Sequence, residues 1–344
     1  MAPQVADIVT GDDTKAARSH AAATIPPRNP KTCHVVAMKH LTRRTFFGSV
    51  ASVGATATLP ALGQNLAVGA ILKKAVPSTG EQIPAIGLGT WITFNVGSNE
   101  KLRAARAQVM QTFFDRGGNL IDSSPMYGSS EAVIGYGLAR ITNKGALFSA
   151  GKVWTVLKPL GVNQMESSRR LWGVERFDLM QIHNLLDWST HIETLKAMKA
   201  QGRVRYIGIT TSQGWRHGDL ETIMRREPID FVAFSYNVVD REVEERLLPL
   251  AAERGIAVII NRPFQEGVLI NRMMHHPLPP WAVEIDCANW AQFLLKFIIS
   301  HPAVTCAIPA TRRVDHMEEN MGAMRGRQPD ARMRARMTRY VATV

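Results

Sequence analysis

The chain has 344 residues, 45% of them hydrophobic and 20% charged, a globular composition that excludes disorder and low-complexity fibre. No run of about 18 strongly apolar residues occurs, which excludes a polytopic membrane protein, and three cysteines (Cys33, Cys287, Cys306) cannot make a disulfide scaffold or a Cys-based zinc site. The formal charge of +12 suits anionic ligands or an acidic surface; no nucleic-acid motif accompanies it, and most of the excess reads as solvated surface.

Residues 1–37 are rich in Ala, Thr, Pro and Asp without sustained periodicity, so no fold is expected there. Met38 opens a different pattern: Lys39, His40, then TRRTFF at 42–47, then the weakly apolar, small-residue stretch GSVASVGATATLPALG. A basic head, a mildly hydrophobic middle and a small-residue end make an export signal, and Arg43–Arg44 directly before Phe46–Phe47 resemble the twin-arginine signal. The bland alternative is a basic linker that contains Arg-Arg. On the export reading Met38 is the true start, 1–37 is an upstream extension, cleavage follows Gly63, and the twin-arginine machinery is a partner. The mature protein is then periplasmic or exported, already folded, with no stable membrane span; without the signal it is cytoplasmic.

From residue 71 onward, β-rich runs alternate with amphipathic segments. The strand candidates are 86–91, 119–124, 146–154, 177–183, 205–210, 230–236, 256–261 and 304–309. Helical periodicity marks KLRAARAQVMQTFFDRG, THIETLKAMKAQG and DREVEERLLPLAAERG, several closed by Gly after basic residues. Starts of the first seven strands lie about 25 to 33 residues apart, the length of one βαβ unit. The last gap is longer, and its segment 264–285, with three prolines, reads as a loop. Eight such units predict a (β/α)8 TIM barrel over 71–344; an open doubly wound sheet would want G-x-G-x-x-G after the first strand, where only GLGTW stands. The segment 76–85, with Thr79-Gly80 at its turn, predicts a small hairpin able to plug the N-terminal end of the barrel.

Barrel chemistry gathers where strands end at their C-terminal side. Those ends carry Asp122, Lys152, His183, Thr210–Thr211, Tyr236–Asn237, Asn261–Arg262 and 310–313, with Trp91, Trp154, Trp188 and Trp215 beside them. Ionisable groups against aromatic walls describe a cleft for a small organic substrate.

In order and spacing, GLGTW, GGNLIDSSPMYGSSE, KVW, FDLMQIHN and IPATRRVDHMEEN resemble the aldo-keto reductase family over roughly 71–323. The resemblance implies a catalytic tetrad of Asp122, Tyr127, Lys152 and His183, an NADPH cofactor, a carbonyl substrate and no metal. Hydride addition to a carbonyl builds charge on oxygen, so a proton donor is needed beside it, and Tyr127 takes that role. Lys152 is expected to lower the phenol pKa, Asp122 to hold Lys152 charged, and His183 to orient the carbonyl. Each also has a plain structural reading: Asp122 and the following Ser-Ser-Pro as a turn cap, Tyr127 as a packed aromatic, His183 as a bonded core residue. Lys158 competes with Lys152, which is preferred because it sits inside the strand pattern and is followed by Val-Trp as in the family. Gly151 stands where relatives usually carry Thr.

Cofactor contacts implied by the resemblance are Gly89, Thr90 and Trp91 after the first strand, and Thr210–Thr211 after the fifth, in place of the family's Ser-Asn pair. The sixth-strand Gln of the family is Ala233. The seventh-strand stacking tyrosine is Asn261, followed by Arg262 and Pro263. At the eighth strand Thr311, Arg312 and Arg313 precede a helix opening, a natural anion site or else a solvated helix start. His316 replaces the family's later arginine, and Glu319 and Asn320 keep the adenine-binding pattern. The expected function is reduction of an aldehyde or ketone. The competing class is a non-catalytic nicotinamide-binding redox sensor or a subunit of an exported assembly, favoured by the missing Gln.

Overall fold

A computed structural model describes residues 69–344; the segments 1–37 and 38–63 read above lie outside the described residues. The chain enters through an antiparallel hairpin, β1 (Lys73–Ala75) and β2 (Gln82–Pro84), in which Lys74 pairs with Ile83. The hairpin was expected in 76–85; its first strand starts three residues before that segment.

Eight parallel strands follow: β3 (Leu88–Gly89), β4 (Leu120–Asp122), β5 (Phe148–Val153), β6 (Phe177–Ile182), β7 (Val204–Thr210), β8 (Phe231–Ser235), β9 (Ala257–Asn261) and β10 (Cys306–Ala307). Each pairs with its chain neighbour, and parallel bridges Ile86–Ala307 and Gly89–Ala310 join the last strand to the first. The sheet is therefore a closed (β/α)8 barrel, as expected. Closure explains Gly89: a Cβ there would lie 2.5 Å from the carbonyl oxygen of Ile308. Gly151 has a similar reason, because a Cβ would press on Phe177 and Met180.

The helices are α1 (Glu100–Asp115), α2 (Ser130–Leu138), α3 (Lys158–Trp172), α4 (Trp188–Ala200), α5 (His217–Arg226), α6 (Leu247–Arg254), α7 (Val268–Met273), α8 (Trp290–Ile299), α9 (Val314–Gly322) and α10 (Ala331–Val341). Two expectations need correction. The run 240–255 forms a short 3-10 turn at Glu242–Glu244 and then α6, because Pro249 is tolerated only in a helix's first turn. The segment 264–285 is not all loop: Leu269 and Met273, four apart and both buried, give α7 one apolar face, and a 3-10 turn spans Pro280–Ile285.

Strand side chains alternate between two apolar layers. Leu120, Phe148, Leu179, Tyr206, Phe231 and Ile259 fill the interior, and Val76 and Ile83 of the hairpin join them as a plug. Thr79 Oγ1 lies 2.7 Å from the Tyr206 hydroxyl, fastening the plug to the barrel floor. The opposite strand faces pack on the helices. At the barrel's outside the fully buried Lys296 of α8 donates to the carbonyls of Ile285, Arg325 and Arg327 at 2.7, 2.7 and 2.8 Å, tying the C-terminal tail to α8. Among the described residues no helix is long and apolar enough to cross a membrane.

Candidate active site

The alternation that fills the barrel floor carries polar groups one step further up the same faces. Leu120, Ala150 and Leu179 point inward, so Asp122, Lys152 and Gln181 do as well, and His183 follows as the next inward position. The parallel register sets Asp122 beside Ala150 and Lys152 beside Gln181, so Lys152 and Gln181 stand one inward step beyond Asp122 and both reach its carboxylate. Tyr127 arrives on a 3-10 turn, Pro125–Tyr127, started by Pro125 and capped by Ser124 Oγ, which accepts the Met126 N–H at 3.2 Å.

Lys152 and Asp122 form a buried ion pair, 4% and 3% exposed at their side chains. Lys152 Nζ also donates to the carbonyl of Ser123 at 3.0 Å, and Gln181 Nε2 donates to Asp122 Oδ2 at 3.0 Å. The ammonium lies 5.3 Å from the centroid of the Tyr127 ring. That ring meets His183 edge-on, 5.6 Å between centroids at 86°. Lys158, the competing lysine, is the exposed first residue of α3 and takes no part.

Burial pushes the Lys152 ammonium below the usual lysine range, and Asp122 opposes that by pairing with it. Burial, with the Asp122 charge adding to it, pushes the Tyr127 phenol well above its ordinary value. The expected lowering by Lys152 is therefore corrected: Asp122 already neutralises the ammonium, and desolvation of the phenolate wins. Burial, helped by the Lys152 charge, pushes His183 down to about 3, so its imidazole is neutral at physiological pH. Ser124 Oγ sits 2.8 Å from His183 Nδ1.

Three further groups escaped the sequence reading. Gln181, on β6 two residues before His183, holds the second oxygen of Asp122. Ser124 was read only as part of a turn. Glu131, in the quoted MYGSSE run, is buried; burial raises its carboxyl pKa, while Ser168 Oγ and Trp172 Nε1 donate to it at 3.0 and 3.3 Å.

The residues expected to hold a cofactor follow β3, β7, β9 and β10 or lie on α9, and several are already engaged within the chain. Thr90 Oγ1 donates to the Asp122 carbonyl at 2.9 Å, and Gly89 serves barrel closure. Asn261 accepts from Ser235 Oγ at 2.7 Å and donates to the Thr211 carbonyl at 2.8 Å, so it ties three strand ends together. Arg262, with φ of +50°, pairs with Glu266, and Pro263 is buried. Thr211 is different: its Oγ1 is buried with no partner among the described residues, and Thr210 beside it is buried too. At the β10 end Thr311 Oγ1 accepts the Arg313 N–H at 3.2 Å, and Arg313 pairs with Asp315, so of the two arginines expected at an anion site Arg313 is already engaged. Arg312 is exposed and has no carboxylate partner among the described residues. His316 is exposed, Glu319 half-buried and Asn320 buried on α9. Trp91, Trp154 and Trp215 are 36%, 40% and 68% exposed; Trp188 packs partly against the core.

The model of the aldo/keto reductase family matches residues 85–338. A methylglyoxal reductase of Escherichia coli strain K12 is 26% identical over 265 residues, covering 73% of this chain and 89% of that protein. An NADH-specific methylglyoxal reductase of the same strain is 23% identical over 242 residues, covering 60% of this chain and 72% of that protein. The fold is shared with a Klebsiella pneumoniae aldo/keto reductase crystallised with NADP and acetate, at 23% identity and a TM-score of 0.67 over 78% of this chain and 96% of that one.

Proposed function

This chain belongs to the aldo/keto reductase family, and from that premise we propose that it reduces an aldehyde or ketone to an alcohol with NADPH, Tyr127 being the proton donor. The observation that carries the proposal is the buried Lys152–Asp122 pair set beside Tyr127 and a neutral His183. When bound, a reduced nicotinamide supplies the hydride. Tyr127 gives its proton to the carbonyl oxygen as negative charge grows there. A raised phenol pKa keeps that proton in place at neutral pH, and an alkoxide is a far stronger base (water, for scale, has a pKa of about 15.7), so the transfer still runs downhill. The Lys152 ammonium, 5.3 Å from the ring centroid, faces the phenolate left behind; Asp122 and the Ser123 carbonyl hold it there, and Gln181 holds Asp122. His183 hydrogen-bonds the carbonyl oxygen and orients it.

The rim fits a nicotinamide cofactor through the Thr211 hydroxyl, which has no partner among the described residues and which a carboxamide satisfies, and through the exposed Arg312 guanidinium. NADPH over NADH then rests mainly on Arg312, since Arg313 is neutralised by Asp315. Arg312→Ala is expected to raise the Kd of NADPH about 10-fold and that of NADH under about 2-fold, from the loss of charge-assisted hydrogen bonds. Titration of both cofactors by fluorescence checks this, and equal affinities in the parent remove the argument. Small aromatic or apolar aldehydes suit the tryptophans of the rim, and methylglyoxal is the further test substrate suggested by the relatives.

A second reading, a nicotinamide-binding protein without turnover, is favoured by Ala233 and the committed Asn261; a parent that binds NADPH yet reduces no carbonyl offered would support it. Export belongs to the same proposal. The double change Arg43→Lys with Arg44→Lys is expected to leave full-length precursor in the cytoplasm; export and cleavage at the parental level would refute the signal.

A further inference from the structure

We infer that Ser124 is a positioning residue that fixes His183 in the tautomer with its proton on Nε2, so that the ring offers a donor to a carbonyl oxygen. The inference rests on the reading of this cleft as a carbonyl-reducing site.

Ser124 is 0% exposed, and its Oγ lies 2.8 Å from His183 Nδ1. The same oxygen accepts the backbone N–H of Met126 at 3.2 Å, which occupies one of its lone pairs. The hydroxyl proton must still find an acceptor, because a buried O–H left unpaired is costly. Among the described residues Nδ1 is the acceptor within its reach. Nδ1 therefore accepts, and a neutral imidazole whose Nδ1 accepts carries its single proton on Nε2. Among the described residues Nε2 has no protein partner, which leaves its N–H for a ligand. The opposite tautomer would turn a lone pair toward the carbonyl oxygen and repel it.

One hydroxyl thus has two duties. It caps the turn that delivers Tyr127, and it orders the proton of the ring that Tyr127 meets edge-on. Separating these duties decides the design of the test.

The full-length protein is labelled with 15N-histidine, and His183 is assigned by its loss in His183→Gln. The parent is expected to show an unprotonated Nδ1 and a protonated Nε2. Ser124→Ala is expected to give a mixture of tautomers or the reversed one, and to lower kcat about 10-fold, the worth of one hydrogen bond, with KM within about 2-fold. Ser124→Thr keeps the hydroxyl and is expected to restore both readouts. A purely structural cap would not move the tautomer. A parent protonated at Nδ1, or a Ser124→Ala protein with unchanged tautomer and kcat, overturns the inference. Should Ser124→Ala fail to fold, the spectrum of the parent still decides it. A parent that reduces no carbonyl defeats the reductase reading instead, while the tautomer measurement stands apart from it.

Discussion

Tyr127→Phe is expected to leave the barrel and NADPH binding intact while lowering turnover by ~10²–10⁴, the range for loss of a general acid. The side chain stands on a 3-10 turn held by Ser124 and Pro125, and no hydrogen bond through its phenol oxygen supports the fold among the described residues. Removing one oxygen therefore removes chemistry without removing support. Loss of NADPH absorbance with a good aldehyde substrate measures turnover, and thermal unfolding checks the fold. Parental turnover in this variant would end the assignment of Tyr127 as donor.

Lys152→Met is expected to act on both activity and stability. The ammonium is fully buried, and its removal leaves the Asp122 carboxylate in the barrel with Gln181 as its remaining side-chain donor. Breaking a buried pair from one side costs about 3–5 kcal/mol. Turnover should fall too, because the phenolate formed on proton transfer loses the ammonium that lies 5.3 Å from its ring centroid. Adding Asp122→Asn to Lys152→Met removes both charges, and this double variant should regain much of the lost stability but none of the lost turnover. Lys158→Met, at the exposed start of α3, should change neither. Urea unfolding and steady-state rates on the four proteins separate the roles. A stable, active Lys152→Met would show that the buried pair supports neither.

The two lysines also illustrate how far the site was legible. Its place within a strand candidate and the Val-Trp after it favoured Lys152, and the structure places it inside the barrel and Lys158 at a helix start. Asp122, Lys152 and His183 were readable because each stands at or next to the C-terminal end of a strand, where barrel chemistry gathers. Tyr127 was reached only through the family's motif, since a turn residue has no periodicity to follow.

Length, the spacing of strand starts and the alternation of β-rich with amphipathic segments were enough to predict an eight-stranded barrel, its hairpin plug and the rim where polar groups gather. These are relations between residues a few positions to one βαβ unit apart, and chain geometry transmits them. The tertiary structure alone decided which charges were already spent. Asp315 takes Arg313, Glu266 takes Arg262, and Asn261 binds Ser235 and the Thr211 carbonyl rather than standing free. It also reversed the expected shift of the Tyr127 phenol and joined Ser124 to His183 across 59 positions of sequence. Desolvation depends on everything packed around a group, and a hydrogen bond on a few tenths of an ångström. Neither quantity is written in the spacing of residues along a chain; both arise only once the strands have closed and the side chains share one interior.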